Sequence, residues 1–294
     1  MTDQFTTTGQ TELKAATRRQ TIQTYERAAD HCLSHEDTLA DEVPVALQYN
    51  GINHVVMLAS ATDLIDLAYG FSYSEGIIRQ ASDIYDCEII NTGQGYVLDI
   101  TIASACLQQL KLRRRRMTGQ TGCGLCGIES LEALEHGLQP LPDDAPVLST
   151  RSIYKALEAL RHLQPLRAQT GATHAAGWAD REGQILHVRE DVGRHNALDK
   201  LIGHLLRQSM DRRAGFVVVS SRASFEMVQK TVQAAIPALI AVSAPTSMAV
   251  QAAQDNNLIL VGFARHDKFN IYHGAEHLIY ETVQDTASST PVKP

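Results

Sequence analysis

The feature that most constrains the fold is the alternation of short apolar segments with helical patterns in the second half of the chain. Strands that alternate with helices favour a largely parallel sheet with helices on its faces, an α/β arrangement. The predicted strands are 216–220, 238–242 and 258–263, and the predicted helices between them are 225–235 and 247–253. Ligands of such sheets lie beyond the carboxyl ends of the strands. We therefore expect a binding site in the loops that follow these three strands.

The first half of the chain predicts a mixed α+β arrangement instead. The pair Asn50-Gly51 lies between the apolar segments 43–49 and 54–59. An Asn-Gly pair between apolar runs is the strongest short signal of a β-hairpin. The other elements expected in this half are a helix at 62–73 and strands at 84–90 and 96–102.

Composition changes at residues 139–148, where prolines and aspartates interrupt the apolar pattern. Such a segment is typical of a linker. Both ends of the chain are polar and lack apolar periodicity, which is typical of disordered tails. The predicted organisation is a disordered tail at 1–20, an N-terminal α+β domain at 21–138, a linker at 139–148, an α/β domain at 149–284 and a second disordered tail at 285–294.

Charge and hydropathy argue against two classes of protein. The 26 basic and 33 acidic residues give a net charge of -7, whereas a general nucleic-acid binder carries a basic face. No apolar segment is long enough to span a bilayer, and the polar N-terminus does not resemble a signal peptide. The odd number of cysteines, five, does not suit a disulfide framework. We therefore expect a cytoplasmic protein without nucleic-acid or membrane partners.

The sharpest local signal is the segment Gly122-Cys123-Gly124-Leu125-Cys126-Gly127. Its glycines let the backbone approach a ligand closely. A helix expected directly after it would point its N-terminal N–H groups at the thiols, and the basic residues within 111–116 lie just upstream. Both features favour the thiolate, which is the reactive form. Cys123 and Cys126 are therefore the candidate catalytic residues.

Several interpretations of this cysteine pair remain open at this point. A thioredoxin-like redox pair requires a βαβ context, and a structural zinc site requires two further ligands at matched spacing. A zinc deaminase requires an upstream His-x-Glu, which the sequence lacks. Sulfur transfer and a structural loop with inert thiols are the remaining interpretations. Because no second pair of ligands is present, we expect no tightly bound zinc.

Two helix starts carry groups that suit an anionic ligand. Arg194 and His195 stand at the start of one predicted helix, with Asn196 as its expected cap. Arg222 and Ser224 open another helix directly after an apolar strand. Backbone N–H groups at helix starts, together with arginine and hydroxyl groups, bind phosphate. Capping and solvated charge are the structural alternative for both groups.

Two further segments are candidates for ligand contact. His174 lies among small residues that allow a close approach, although a buried structural histidine is the commoner explanation. In the loop 263–268, Phe263 could stack on a base while Arg265 and Lys268 contact phosphate. The structural alternative for the loop is a polar hairpin with core phenylalanines.

Six motifs in a fixed order give the chain a resemblance to a known family. They are Cys-Gly-Leu-Cys-Gly at 123–127, Thr-His-Ala-Ala at 173–176, Glu-Asp-Val-Gly-Arg-His-Asn-Ala-Leu-Asp-Lys at 190–200, Ser-Phe-Glu-Met-Val-Gln-Lys at 224–230, Ala-Val-Ser-Ala-Pro-Thr-Ser at 241–247 and Val-Gly-Phe-Ala-Arg at 261–265. This order resembles the formate dehydrogenase accessory sulfurtransferases, the FdhD proteins. The resemblance extends over residues 41–273.

The resemblance implies a function. Family members accept sulfur from a cysteine desulfurase as a cysteine persulfide. They pass it to the Mo-bis(molybdopterin guanine dinucleotide) cofactor before this cofactor enters formate dehydrogenase. Cys123 stands at the position of the family's persulfide carrier, and Cys126 at that of the second cysteine. The implied partners are the desulfurase, the formate dehydrogenase catalytic subunit and a second copy of the chain in a homodimer.

The resemblance also implies a fold and a set of binding residues. The α/β domain would be similar to cytidine deaminases, with three layers but without catalytic zinc. GDP would mimic the bound cofactor. Two other functions fit the same motifs, namely a cofactor-binding chaperone that moves no sulfur and a CxxC thiol–disulfide protein. The residues expected to bind the cofactor are Phe263, Ala264, Arg265, His266, Asp267 and Lys268, together with Arg222, Ser224, His174, Arg194 and His195.

Overall fold

The structure, a computed structural model, describes residues 16–27, 30–120, 138–143, 147–265 and 267–280, with the backbone alone for 114–120. The helices in these ranges are α1 (Leu64–Ser74), α2 (Ser104–Gln120), α3 (Thr150–His162), α4 (Pro165–Thr170), α5 (Arg194–Arg207), α6 (Phe225–Gln233) and α7 (Ser247–Asp255). The strands are β1 (Thr17–Glu26), β2 (His31–Ala40), β3 (Val43–Tyr49), β4 (Ile52–Ala59), β5 (Ile84–Asn91), β6 (Tyr96–Ile102), β7 (Leu148–Ser149), β8 (His174–Asp180), β9 (Ile185–Asp191), β10 (Gly215–Val219), β11 (Ala238–Ala241), β12 (Ile259–Gly262), β13 (Asn270–His273) and β14 (Leu278–Ile279).

The chain divides into two compact units that are not continuous in sequence. The first unit comprises Met1–Gln139, Leu163–Ala176 and Val188–Asp211, and the second comprises Pro140–His162, Gly177–His187 and Arg212–Pro294. These units do not coincide with the two domains expected from the sequence. Two stretches expected in the α/β domain, including all of α5, belong to the first unit.

The first unit contains a four-stranded sheet with the order β4-β3-β6-β5. Asn50 and Gly51 connect β3 to β4 with φ angles of 48° and 75°, which are the left-handed conformations that a type I′ turn requires. The predicted hairpin is therefore confirmed. Val45, Leu47 and Leu98 are fully buried and alternate with more exposed residues. This alternation is typical of a sheet with one face in the core.

Helices α1 and α5 pack together within the first unit, with glycines at the closest approach. A Cβ atom at Gly70 of α1 would lie 1.7 Å from the carbonyl oxygen of Asp199. A Cβ atom at Gly203 of α5 would lie 1.9 Å from the carbonyl oxygen of Asp66. No side chain fits at either position, because such distances are far below van der Waals contact. This packing explains why α5 belongs to the first unit.

A buried carboxylate joins the same two helices. Asp66 is 3% exposed and accepts a hydrogen bond of 2.8 Å from Nε of Arg189. Arg207 of α5 donates a further bond to it, and Nδ1 of His204 lies 3.5 Å from its Oδ2. Two guanidinium groups therefore compensate one buried charge.

A six-stranded sheet has the order β13-β12-β11-β10-β8-β9. β10 pairs in parallel with β11 and β11 with β12, whereas β13 is antiparallel at the edge. Every residue of β10, β11 and β12 is buried, as expected of parallel strands covered on both faces. The predicted mixture of an α+β part and an α/β part is thereby confirmed. The predicted likeness to cytidine deaminases stays a prediction.

The sequence did not predict several of the strands, among them β1, β2 and β8. β1 begins at Thr17, inside the segment 1–20 predicted to be disordered, and it pairs along its whole length with β2. Residues 17–20 are therefore a correction to that prediction. β8 contains the small residues of the motif at 173–176, and alanine and glycine have low strand propensity. Sheet pairing overrides this local preference.

Candidate functional site

The loops after β10, β11 and β12 lie together, as the strand order predicts. The backbone N–H of Phe263 donates to the carbonyl oxygen of Ser243 at 3.0 Å, and that of Ala223 donates to Ala244 at 3.3 Å. Phe263 has a φ of 50°, a left-handed conformation that is uncommon for a bulky residue. These backbone bonds hold the loop after β12 in place against its neighbour.

A cavity of about 670 Å³ opens beside this loop, within the second unit. Its volume falls in the range of small-molecule binding sites, which is about 300–1,000 Å³. One wall is the loop after β12, and the other is helix α3. The lining residues are Arg151, Tyr154, Lys155, Leu157, Glu158 and Arg161 of α3, Val242 after β11, and Ala264, Arg265 and Asp267.

The charged groups of the cavity are four cations and two carboxylates. Glu158 is already engaged, because it lies 3.8 Å from Arg161 and 3.1 Å from His162 of the same helix. Lys155 donates to the carbonyl oxygen of Glu182 at 3.2 Å. The net positive charge of the lining suits an anionic ligand.

Three of the predicted binding residues, Ala264, Arg265 and Asp267, line this cavity. Phe263, 37% exposed, and Lys268 lie on the same loop, where the carbonyl oxygen of Lys268 accepts a bond of 2.9 Å from the N–H of Arg265. Neither is among the described residues that line the cavity. His266 lies outside the described residues.

Arg222 and Ser224 stand at the start of α6, in the loop after β10. The backbone bond from Ala223 to Ala244 joins this loop to the loop after β11. Ser224 occupies the N-cap position of the helix, and Arg222 is exposed. The expected hydroxyl and guanidinium groups are thus at the carboxyl end of β10. Their contact with a cofactor stays a prediction.

Arg194, His195 and His174 belong to the first unit. Helix α5 begins at Arg194 with Gly193 as its N-cap, so the expected cap at Asn196 is wrong. The side-chain amide of Asn196 instead donates to the carbonyl oxygen of Leu58 at 2.8 Å. The helix starts earlier because a glycine in extended conformation already provides the turn into it.

Much of the motif at 190–200 forms a buried polar network. Lys200 and Asp191 are fully buried, and Nζ of Lys200 donates to Oδ2 of Asp191 at 2.6 Å. The same ammonium donates to the carbonyl oxygen of Ser60 at 3.0 Å and to Oγ1 of Thr62 at 3.3 Å. These bonds tie the start of α1 to α5, so this part of the motif has a structural role.

His174 lies in a positive environment beside the start of α5. Burial, followed by the charges of Arg194 and Arg167, lowers its pKa, so its imidazole is neutral near pH 7. Nδ1 of His174 and Nε of Arg194 are both buried and have no hydrogen-bond partner among the described residues. The expectation that these two residues contact a ligand stays a prediction.

The cysteine pair Cys123 and Cys126 lies outside the described residues. Of the described cysteines, Cys87 has its pKa raised to about 12, first by burial and then by the charge of Asp86. Burial and Asp83 likewise raise the pKa of Cys106. Both are protonated near pH 7 and are poor nucleophiles.

The described ranges contain neither a cluster of side chains arranged for a metal ion nor a helix that could span a membrane. Within them, no three His, Cys, Asp or Glu side chains are arranged to hold a metal ion. No helix in the same part of the chain is long and apolar enough to cross a membrane. The expectation of no bound zinc at Cys123 and Cys126 stays a prediction.

Sequence reasoning missed the contribution of α3 to the cavity. A usable signal was present, because residues spaced by three or four lie on one face of a helix. Ile153, Leu157 and Leu160 are buried and form the apolar face of α3. The polar residues at the same spacing on the other side are Arg151, Tyr154, Lys155, Glu158 and Arg161.

The chain is similar to several known proteins. A protein named sulfur carrier protein FdhD from Bordetella petrii is 52% identical over 245 residues, which cover 83% of this chain and 88% of the relative. A protein of the same name from Variovorax paradoxus is 53% identical over 238 residues, with coverages of 81% and 85%.

A solved structure and a family model agree with this similarity. The crystal structure of a proposed formate dehydrogenase accessory protein from Desulfotalea psychrophila matches with a TM-score of 0.71 and 22% identity, over 90% of this chain and 100% of that chain. At this identity the match shows the fold alone. The model of the FdhD/NarQ family matches residues 40–279. The chain therefore belongs to the FdhD/NarQ family.

Proposed function

We propose that this protein is a sulfur carrier that serves formate dehydrogenase. The observation that carries the proposal is the identity of about one half, over four-fifths of the chain, with proteins named sulfur carrier protein FdhD. The donor is a cysteine desulfurase. The acceptor is the Mo-bis(molybdopterin guanine dinucleotide) cofactor, which is the substrate and receives the sulfur before it enters formate dehydrogenase.

Cys123 carries the sulfur as a persulfide. Its thiolate attacks the terminal sulfur of the desulfurase persulfide, a new S–S bond forms on Cys123, and the desulfurase leaves as a thiolate. This loading step needs no external oxidant or reductant, because one S–S bond replaces another. The raised pKa values of Cys87 and Cys106 make these two thiols unsuitable for the same step.

The cavity between α3 and the loop after β12 suits one guanine dinucleotide end of the cofactor. A pyrophosphate requires cations and backbone donors, and Arg265 lines the cavity. Arg222 and Ser224, together with Arg194, His195 and His174, are the further expected contacts. The bound cofactor contributes the metal that receives the sulfur, while the residues of this chain bind and orient it.

Complementation of a strain that lacks the protein tests the cysteine assignment. Cys123→Ala should abolish the maturation of formate dehydrogenase, whereas Cys32→Ala, an exposed cysteine outside the motif, should not. Cys126→Ala shows whether the second cysteine takes part. Full formate dehydrogenase activity with Cys123→Ala would exclude persulfide transfer through this residue. It would favour a cofactor-binding chaperone that moves no sulfur instead.

The family resemblance also leads us to propose a homodimer in the cytoplasm. Sedimentation of the full chain at micromolar concentration should give the mass of two copies. A single copy at every concentration would contradict the dimer without affecting the assignment of Cys123.

A further inference from the structure

Helix α2 of the first unit combines exposed cations with an exposed leucine. Leu110 is buried and fastens the helix to the unit. The next three residues, Lys111, Leu112 and Arg113, are all exposed, and Leu112 is 54% exposed. Nη1 of Arg113 donates to the carbonyl oxygen of Glu75 at 3.0 Å, which ties α2 to the end of α1. The three exposed residues, called the α2 surface below, are therefore held in a defined position.

The charge of this part of the chain is opposite to that of the whole. Between Asp99 and Glu129 the sequence contains five basic residues, which are Lys111 and the arginines at 113–116, and no acidic residue. The whole chain has a net charge of -7. A local positive surface on an acidic protein attracts a negatively charged partner to that place. The α2 surface is therefore suited to an acidic partner.

A protein fits the α2 surface better than a nucleic acid does. Protein interfaces have an apolar centre and a polar rim, and arginine is enriched in them. Leu112 supplies such an apolar point between two cations. A nucleic acid requires an extended basic face, and the net charge of -7 repels a long polyanion beyond this patch. The partner expected here is an acidic protein surface.

The covalent connection of the chain brings a sulfur donor close to this surface. Helix α2 ends at Gln120, and Cys123 is the third residue after it, so the two Cα atoms are at most about 11 Å apart. Lys111 lies nine residues before Gln120 on the same helix, a distance of about 13 Å. A protein interface of standard size covers about 800 Å² on each partner, which is a patch roughly 30 Å across. The footprint of a donor that reaches Cys123 is therefore wide enough to include Lys111.

We propose that the α2 surface docks an acidic surface of the sulfur donor, the cysteine desulfurase. The inference rests on the proposed function, because the donor is the partner whose persulfide must reach Cys123. Lys111 and Arg113 attract the donor and fix its orientation, while Leu112 is buried in the contact. The role of these residues is to position the donor, and none of them takes part in the transfer of sulfur.

Binding of a cysteine desulfurase to the full chain, measured by biolayer interferometry, tests the surface. Lys111→Glu should weaken binding by about tenfold in dilute salt, because it places like charges opposite each other. This loss should shrink in about 0.5 M salt, where charges are strongly screened. Leu112→Ala should weaken binding by about fivefold at both salt concentrations, since the burial of apolar surface does not depend on screening.

Arg181→Glu is the matched control. Arg181 is exposed and lies in the second unit between β8 and β9, so its reversal changes the net charge as Lys111→Glu does and leaves α2 intact. This variant should bind the desulfurase like the wild type. Equal losses in Arg181→Glu and Lys111→Glu, or binding by Lys111→Glu and Leu112→Ala within about twofold of the wild type, would overturn the inference. Binding of duplex DNA that Lys111→Glu abolishes, with desulfurase binding retained, would assign the surface to nucleic acid instead.

Loading by inorganic polysulfide separates docking from activation of the thiolate. The thiolate of Cys123 attacks a sulfur of the polysulfide, and one S–S bond replaces another. This small donor needs no docking surface, so Lys111→Glu should gain sulfur from it at the rate of the wild type. Loading of the same variant by a low concentration of desulfurase should be about tenfold slower. Equal slowing with both donors would show that Lys111 acts on the thiolate, and the docking role would be wrong.

The same measurements separate this inference from the proposed function. A wild type that binds the desulfurase through the α2 surface but never gains sulfur supports the inference and contradicts the sulfur carrier. A wild type that gains sulfur, while Lys111→Glu and Leu112→Ala bind the desulfurase and are loaded as the wild type is, contradicts the inference alone.

Discussion

Replacement of Lys200 by methionine tests the structural role of the motif at 190–200. Methionine fills a similar volume, so the change removes the ammonium and leaves the packing nearly intact. The partner carboxylate of Asp191 is fully buried and would lose its bond of 2.6 Å to Nζ. The carbonyl oxygen of Ser60 would lose its bond of 3.0 Å.

The expected cost follows from these contacts. Breaking a buried ion pair by removing one partner costs about 3–5 kcal/mol, because a buried charge is left uncompensated. Natural domains have unfolding free energies of about 5–15 kcal/mol. With a urea dependence of about 2 kcal/mol per molar, the urea midpoint should fall by roughly 1.5–2.5 M. The variant should fold in buffer but unfold at much lower denaturant.

Urea unfolding followed by far-UV circular dichroism is the assay, with Lys111→Met as the control for an exposed lysine. The double variant Asp191→Asn/Lys200→Met should be less unstable than the sum of its single variants, because the uncompensated charge is gone. The network would have no structural role if Lys200→Met unfolded at the same urea concentration as Lys111→Met.

Three further predictions follow from the same structure. Gly203→Ala should destabilise the first unit by about 3 kcal/mol or more, measured as a lower urea midpoint. The added Cβ would meet the Asp66 carbonyl oxygen at 1.9 Å and force α1 and α5 apart. A stable variant would show that the helices separate easily. Burial alone would raise the pKa of Asp66, but the hydrogen bond from His204 and the charge of Arg189 lower it from 3.8 to about 2. The Asp66 carboxylate therefore stabilises the fold at neutral pH by about 2 kcal/mol. That contribution is lost as the pH falls from about 4 through 2. Asp66→Asn should abolish this loss in acid unfolding curves. Arg265→Ala should weaken GDP binding by about ten- to a hundredfold in calorimetry while sulfur loading continues; unchanged affinity would place the nucleotide elsewhere, near Arg194.

The features that the sequence predicted correctly depend on local chemistry. The hairpin at Asn50 and Gly51 was predictable because the turn itself demands left-handed backbone conformations. The strands β10, β11 and β12 were predictable because completely buried parallel strands are continuous apolar runs. Their order along the chain then indicated which loops meet at the edge of the sheet.

The features that the sequence did not predict depend on contacts between distant residues. Gly70 and Gly203 each look like an ordinary helical glycine, and only the packing of α1 on α5 shows why neither position tolerates a side chain. Arg151 likewise looks like a solvated charge on an amphipathic helix. Its place in the cavity follows from the tertiary position of the loop that contains Arg265. No local pattern contains that information.

The mass of the intact protein after incubation with a cysteine desulfurase and cysteine tests the central claim most directly. We predict that the wild type gains one sulfur atom, that dithiothreitol removes it, and that peptide mapping locates it on Cys123. Cys123→Ala should gain none, whereas Cys87→Ala should gain it as the wild type does. A wild type whose mass never changes, or a Cys123→Ala variant that is loaded like the wild type, would contradict the account.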